Sequence, residues 1–423
     1  MNNRGPAEKI TGKISADPNP VCLGQSRVVI SWETNDPAGG EVRVSTSPGN
    51  EKLVNKSKEQ VGQKEIPWIV GSTIYDFRLY AASQPDTPID SIKVRRDLES
   101  ASMILRELAG EVLHGNIDMA ELSQFIATTM PRCLHSGKFH EIFPEWERHG
   151  FHVTPVHFYQ PIPDTQSLPE TLWNRPSELV GIEMNDAMQL DLLRNHFPGF
   201  RHEYNQFPAE PTGEPGRFYL YNGLFDGIDA LVAYCMIRHF QPRLIIEVGS
   251  GFSTLVAAEA IAKNKNSALI CIEPFPLDFL RQGFPGLHSL IEKKVEDIDR
   301  NFFSQLESGD ILFIDSSHTV KIGGDVNYLF LEILPRLNPG VIVHVHDIFL
   351  PFDYRRDWVL DELRFWTEQY LLQAFMMFNS EFEVLLANSY LNHYHQEELK
   401  VAFPELPAWG GGSFWIRRKA RSD

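Results

Sequence analysis

Between residues 226 and 418 the chain alternates short apolar runs with helix-spaced segments, and nothing else in it limits the fold as strongly. "RLIIEVGSG" reads as a strand and "STLVAAEAIAKN" as a helix; "ALICIEPF" and "DILFIDSSH" are strands, "DVNYLFLEILPRL" a helix, and "GVIVHVHDIF" a strand again. Uninterrupted Val, Ile and Leu runs suit strands buried on both faces. Strands alternating with helices predict an α/β fold, a mostly parallel Rossmann-like sheet with helices on both faces. Such sheets bind ligands at the carboxyl ends of their strands.

The two segments before this one are of different character. Residues 10–97 carry short strands such as "RVVISWET", "GEVRVSTS" and "STIYDFRLYAAS", separated by turns like "NDPAGG" and "TSPGNE". In the last of these, Tyr75, Phe77, Leu79 and Ala81 alternate with Asp76, Arg78 and Tyr80, a half-buried pattern. About seven such strands fit a small immunoglobulin- or fibronectin-like sandwich. It shows no catalytic cluster, and core packing is the simplest role for Trp32 and Trp68. Residues 98–225 begin with two helical patterns, "LESASMILRELAGEVL" and "DMAELSQFIATTM", and pass into the proline-punctuated "HGFHVTPVHFYQPIPDTQSLPETLW". Long irregular stretches beside a regular domain often bind ligands. The expected organisation is an accessory sandwich over 1–97, a cap and substrate-binding segment over 98–225, and a catalytic domain over 226–423.

Composition removes several classes of partner. A formal net charge of −17 argues against nucleic acid or an anionic membrane surface. No apolar run approaches the roughly 20 residues of a membrane helix, and "MNNRGPAEKITGK" has no signal-peptide core. Cys22, Cys133, Cys235 and Cys271 are far apart and read as reduced thiols of a cytoplasmic protein. The expected partner is a small-molecule acceptor, and self-association into a homo-oligomer is compatible with the composition.

The loop "EVGSGFS", 247–253, follows the first strand of the alternating region and opens a helix. Gly249 and Gly251, with Ser250 between them, let the backbone turn sharply against a ligand. A lone G-x-G suits NAD, FAD or S-adenosylmethionine (SAM). Two features favour SAM. Thr254 stands where the dinucleotide fingerprint needs its third glycine, and Glu247 would repel a pyrophosphate but suit a cationic amino acid. Glu273, ending "LICIE", is placed to accept hydrogen bonds from ribose hydroxyls.

Taken in order, "IIEVGSGFST", "CIEP", "ILFIDSSH" and "LEILPRLNPGVIVHVHDI" resemble the class I SAM-dependent methyltransferases, and within them the methyltransferase-24-like group. The resemblance runs for about 190 residues, to "GGSFWIRR", where that family adds its antiparallel last strand. It implies that Glu247, Ser250 and the two glycines hold the methionine part and Glu273 the ribose, with Asp297 in "KKVEDI" near adenine.

Ligand-type residues end two otherwise apolar strands: Asp315, with His318 three residues on, and His346–Asp347. Neighbouring strands would bring these four into one pocket. Two carboxylates and an imidazole make a divalent-metal set, here Asp315, His346 and Asp347, leaving His318 as general base. The arrangement is similar to metal-dependent sugar O-methyltransferases, with magnesium, manganese or iron as the ion. His346 departs from the acidic pair those enzymes carry. A His-Asp pair also resembles iron-containing C-methyltransferases, to which His393 or His395 would add a ligand. His344, one pleat deeper, reads as a core histidine, and Asp325 as a helix N-cap. The expected function is SAM-dependent methylation of a hydroxyl on a sugar or small polar metabolite. The rivals are iron-dependent C-methylation, a non-catalytic SAM-binding protein and a nucleotide-dependent oxidoreductase.

Overall fold

The computed structural model describes residues 9–22, 25–46, 50–70, 73–134, 139–214, 216–264 and 266–420. It divides into two compact units, Met1–Pro155 and Val156–Asp423. The expected middle segment is thus shared: its first helices fall in the first unit, and residues 156–225 in the second.

The first unit opens with seven antiparallel strands, β1 (Gly12–Asp17), β2 (Val28–Thr34), β3 (Gly40–Ser45), β4 (Glu51–Ser57), β5 (Val61–Ile66), β6 (Tyr75–Ala81) and β7 (Gln84–Val94). They form a three-stranded sheet in the order β1-β2-β5 and a four-stranded sheet in the order β4-β3-β6-β7. Their inner faces meet in one core around Ile30, Trp32, Val42, Phe77 and Leu79, the arrangement of a fibronectin-like sandwich. Trp32 is buried in that core. Trp68 is 42 % exposed, stacking one face on Phe77, so only the first tryptophan has the expected role. Three helices follow, α1 (Leu98–Leu113), α2 (Met119–Leu134) and α3 (Phe139–Arg148).

The second unit begins irregularly and carries two short helices, α4 (Asp186–Asp191) and α5 (Arg201–Tyr204), before α6 (Gly227–Phe240). The alternating region then follows as β8 (Leu244–Val248), α7 (Phe252–Lys263), β9 (Ala268–Ile272), α8 (Asp278–Gln282), β10 (Leu287–Ile291), β11 (Ile311–Ile314), α9 (Asp325–Tyr328) and β12 (Ile342–Val345). The chain closes with α10 (Arg356–Leu360), α11 (Glu368–Met376), β13 (Phe382–Ala387), α12 (Asn388–Tyr394), α13 (Gln396–Ala402) and β14 (Phe414–Arg418).

The seven strands of this unit lie in the order β10-β9-β8-β11-β12-β14-β13. The first five are parallel; β14 runs antiparallel to both β12 and β13. The order reverses between β8 and β11, so the loops leaving these two strands diverge and open a crevice at their carboxyl ends. Strand periodicity sorts the side chains into two cores. Ile245, Leu269, Ile311 and Ile342 face α6 and α7, whereas Ile246, Val248, Leu312, Ile314 and Val343 face the other layer, with Phe330 and Leu372. Every residue of β8, β11 and β12 is buried, as expected for strands covered on both sides.

Candidate active site

A cavity of about 590 Å³ opens at the crevice, lined by the ends of β8, β9 and β11 and the loops that follow them. That volume lies within the range of small-molecule sites, about 300–1,000 Å³. Gly249 lines it in a conformation with φ +79°, and a Cβ there would lie 1.8 Å from the carbonyl oxygen of Asp315. Only glycine permits this approach between two neighbouring strand ends. Nothing lies within 4 Å of a Cβ placed on Gly251. The Ser250 hydroxyl is buried without a partner, and the Ser250 amide donates to Glu273 Oε2 at 3.2 Å. The other Glu273 oxygen accepts from the Phe275 amide at 2.8 Å, which holds the carboxylate against the cavity wall.

Two expected cofactor residues stand elsewhere. Glu247 is fully buried and does not line the cavity. Its carboxylate accepts from the Ser253 hydroxyl at 2.7 Å and the Cys271 thiol at 3.2 Å, tying β8 to α7 and β9. Burial pushes its pKa up to about 7 despite these hydrogen bonds. An ammonium-binding role needs a carboxylate facing the ligand, and this one faces the protein. Asp297 is exposed, while Lys294, Val295 and Glu296 of the same segment line the cavity. Its neighbour Glu296, not Asp297, lies on the cavity wall. Sequence reading also passed over Ser316, Ser317 and Lys321, which line the cavity too. Asp325 is the first residue of α9 rather than its cap, since Gly324 holds that position. Its carboxylate instead accepts from the Ser317 amide and hydroxyl, at 2.9 and 2.6 Å, and sets the loop after β11.

Beside the cavity the ends of β11 and β12 do bring the expected acidic and imidazole residues together. His318 Nε2 lies 3.3 Å from Asp315 Oδ1 and 3.6 Å from Asp347 Oδ2, and His346 Nε2 lies 3.7 Å from Asp347 Oδ1. His318 Nδ1 makes a 2.9 Å hydrogen bond to Glu368 Oε2. Glu368, at the start of α11, is a further residue that sequence reading missed. It comes from 50 residues downstream of His318, and "TEQYLLQ" reads only as a helix start. Both His318 and Asp347 have left-handed backbones, φ +54° and +56°. Non-glycine residues hold such angles only where the surroundings impose them, and they gather at functional sites. At Asp347 the constraint is visible. The carbonyl of Gly412 accepts from the Ile348 amide at 2.8 Å, and a Cβ on Gly412 would lie 2.9 Å from the Asp347 Cα. Asp229 pins this segment by accepting from the Gly412 and Ser413 amides.

The electrostatics follow from burial and partners. Burial alone would lower the His318 pKa, but Asp315 and Glu368 reverse this and hold it well above the ordinary imidazole value. Burial raises Asp315, yet the imidazoles of His346 and His318 outweigh it and leave the carboxyl at about 2. His346 is raised by Asp347 and Asp315 against its burial. Burial raises Asp347 and Glu368 despite the nearby imidazoles. His344 is held well below the ordinary value, by burial first and then by His346, which keeps it neutral. Its ring packs on Phe313 and Trp415, and its Nε2 lies 3.1 Å from the Ser413 hydroxyl, so it is the core histidine expected.

This arrangement does not fit the expected divalent metal. Among the described residues no three of His, Cys, Asp and Glu converge as ligands for one ion. Asp315, His346 and Asp347 are neighbours, but His318 Nε2 stands between the two aspartates, where a bound magnesium, manganese or iron would need its charge. The histidines offered for an iron site are engaged elsewhere. His395 Nε2 lies 3.4 Å from Asp186, and the His393 ring packs on Phe352.

Residues 246–348 match the methyltransferase-24 family, described as a methyltransferase domain. An uncharacterized protein of Archaeoglobus fulgidus is 35% identical over 167 residues, spanning 37% of this chain and 75% of its own. Solved structures similar in part include the O-methyltransferase TomG of Streptomyces achromogenes with SAM, at 14% identity, covering 56% of this chain and 92% of that one with a TM-score of 0.29. An O-methyltransferase of Bacillus cereus with SAH, at 12% identity, covers 54% and 91%, also at 0.29. The assignment rests on the sequence match and on the strand order, with its crevice between β8 and β11 and its antiparallel β14: residues 246–348 are a methyltransferase domain of the methyltransferase-24 type, set in a class I methyltransferase sheet.

Proposed function

We propose that the chain methylates a hydroxyl group on a small polar acceptor, a sugar or similar metabolite, using SAM as donor and His318 as the base. The observation that carries this reading is the meeting of two features at one sheet edge. One is a cavity whose glycine loop and Glu273 suit an amino acid and a ribose. The other is a buried imidazole, His318, held in a left-handed backbone 3.3 Å from Asp315, which lines that cavity.

The backbone of Gly249–Gly251 and the Ser250 hydroxyl would face the methionine part, Glu273 the ribose hydroxyls, and Glu296 with Lys294 the adenine end. SAM, when bound, supplies an activated methyl carbon whose transfer to oxygen leaves SAH. His318 Nε2 takes the hydroxyl proton as the oxygen attacks, so the resulting imidazolium is paired with Asp315 and Glu368. Asp347 faces the same nitrogen and can orient the acceptor hydroxyl. No metal is needed to hold the proton in this scheme. Neither His393 nor His395 contacts His346 or Asp347, which disfavours iron-assisted C-methylation.

Labelled methyl transfer from SAM into a small-molecule extract tests the proposal. Label appearing in an ether, with SAH formed in equal amount, is the expected result. SAM binding with no transfer to any acceptor would favour a non-catalytic binding protein, and a labelled carbon–methyl product would favour the C-methyl reading.

A further inference from the structure

His318 is gripped from one side by three consecutive residues, Trp366, Thr367 and Glu368. The backbone amides of Thr367 and Glu368 both donate to the His318 carbonyl, at 2.9 and 3.0 Å. The Thr367 hydroxyl accepts from the Val320 amide at 2.7 Å. Glu368 Oε2 holds the ring Nδ1 at 2.9 Å, and the Trp366 ring packs against the imidazole at a tilt of 43°, centroid to centroid 4.5 Å. Backbone, ring nitrogen and ring face are thus all held by one short stretch at the start of α11.

We infer that Trp366–Glu368 is the positioning element of the methyl-transfer base, with Glu368 as the residue that orients its ring. The inference rests on the reading of His318 as base but concerns a different residue and a different measurement. An imidazole has two nitrogens, and only the one left free can face an acceptor. Glu368 accepts from Nδ1 and so turns Nε2 toward Asp347 and toward Asp315, which lines the cavity. The carboxylate is completely buried, and its second oxygen has no partner. Carboxylates are almost never fully buried without a partner; the partner here is the imidazole, so the pair is built as a unit. Glu368 itself is a positioning residue, because it touches His318 and not the cavity. The two amides gripping the His318 carbonyl add to this, since they hold the left-handed backbone that sets the side chain between Asp315 and Asp347.

The test uses the full chain labelled with ¹⁵N-histidine, in which the ring signal of His318 is identified by its loss in His318→Gln. A strongly downfield Nδ1 proton, protected from exchange, is expected in the wild type, absent in Glu368→Ala and shifted upfield in Glu368→Gln, where a neutral amide replaces the carboxylate. SAM affinity, read by calorimetry, should stay within about twofold in both variants, while methyl transfer into the extract falls at least about tenfold in Glu368→Ala and less in Glu368→Gln, both smaller than the loss of about a hundredfold or more expected on removing the base itself. An Nδ1 proton signal unchanged in Glu368→Ala overturns the inference, and Glu368→Gln decides it in the same way if the alanine variant does not fold. Loss of SAM binding in a folded Glu368→Gln protein also overturns it, by showing that the residue supports the cavity. A wild-type protein that binds SAM but transfers no methyl group would sink the proposed activity and leave the ring measurement standing.

Discussion

At the scale of single residues, His318 carries the clearest expectations. Removing the imidazole in His318→Ala should cost about two to four orders of magnitude in methyl transfer, the usual contribution of a general base, while SAM affinity is kept. Loss of SAM binding in that variant would place His318 in the cofactor site instead. Its pH behaviour can be signed. The ring must be neutral to accept a proton, and Asp315 and Glu368 hold its pKa above the ordinary value. The transfer rate should therefore rise with pH through a midpoint above about 6.5, the ordinary imidazole value. Stability runs the other way. A raised folded-state pKa gives stabilisation that is complete below the unfolded pKa and is lost as pH rises through the folded one. Asp315 behaves oppositely: its stabilisation is present above its unfolded value of 3.8 and disappears as pH falls toward about 2. A pH–rate profile and denaturation midpoints at several pH values check these signs. Dialysis against a chelator bears on the same cluster. Activity should survive it, and a loss restored by added divalent ion would reinstate Asp315, His346 and Asp347 as ligands.

At the scale of elements, the close approach of β8 to β11 sets the cavity mouth. Alanine at 249 would need the left-handed φ of +79° and would put a methyl group on the Asp315 carbonyl. The backbone conformation alone costs on the order of 1–3 kcal/mol, and relief requires the two strand ends to part. Gly249→Ala should accordingly weaken SAM binding by about tenfold or more, since about 1.4 kcal/mol corresponds to that factor. Calorimetric titration reads this directly, with circular dichroism to show that the sheet persists. Unchanged affinity would mean that the loop is not the methionine seat. Gly412 offers a parallel case on the acceptor side: a side chain there would press on the Asp347 backbone, so Gly412→Ala should slow transfer while sparing SAM affinity.

At the scale of the whole molecule, the cavity and the imidazole cluster lie entirely within Val156–Asp423. A protein comprising residues 156–423 should fold and bind SAM with the affinity of the full chain. A folded truncation that cannot bind SAM would show that the sandwich unit contributes to the cofactor site. Loss of turnover alone would not, because presenting an acceptor is a separate task. No helix among the described residues is long and apolar enough to cross a membrane.

Local pattern alone marked β8, β9, β11 and β12, whose mostly apolar runs suit strands buried on both faces; β14 came with the family resemblance, and β10 and β13 emerged only in the folded sheet. In the sandwich, β2, β3 and β6 were legible through their turn residues and alternation, and about seven such strands were expected; the bounds of the other four came only with the structure. The identity of Asp315, His318, His346 and Asp347 as one cluster was readable too, since polar residues ending apolar strands have few reasons to be there. What each side chain does there was decided only by tertiary structure. Glu247 looks ligand-facing in sequence, but strand parity points it at Ser253 and Cys271. Asp297 and Glu296 differ by one position, which no periodicity separates in an irregular loop. Glu368 carried no local sign at all, because the contact that gives it a role joins residues 50 positions apart. Pattern reports which face a residue takes; the partner across the crevice exists only once the chain has closed, and here that partner sets the charge and orientation of the base.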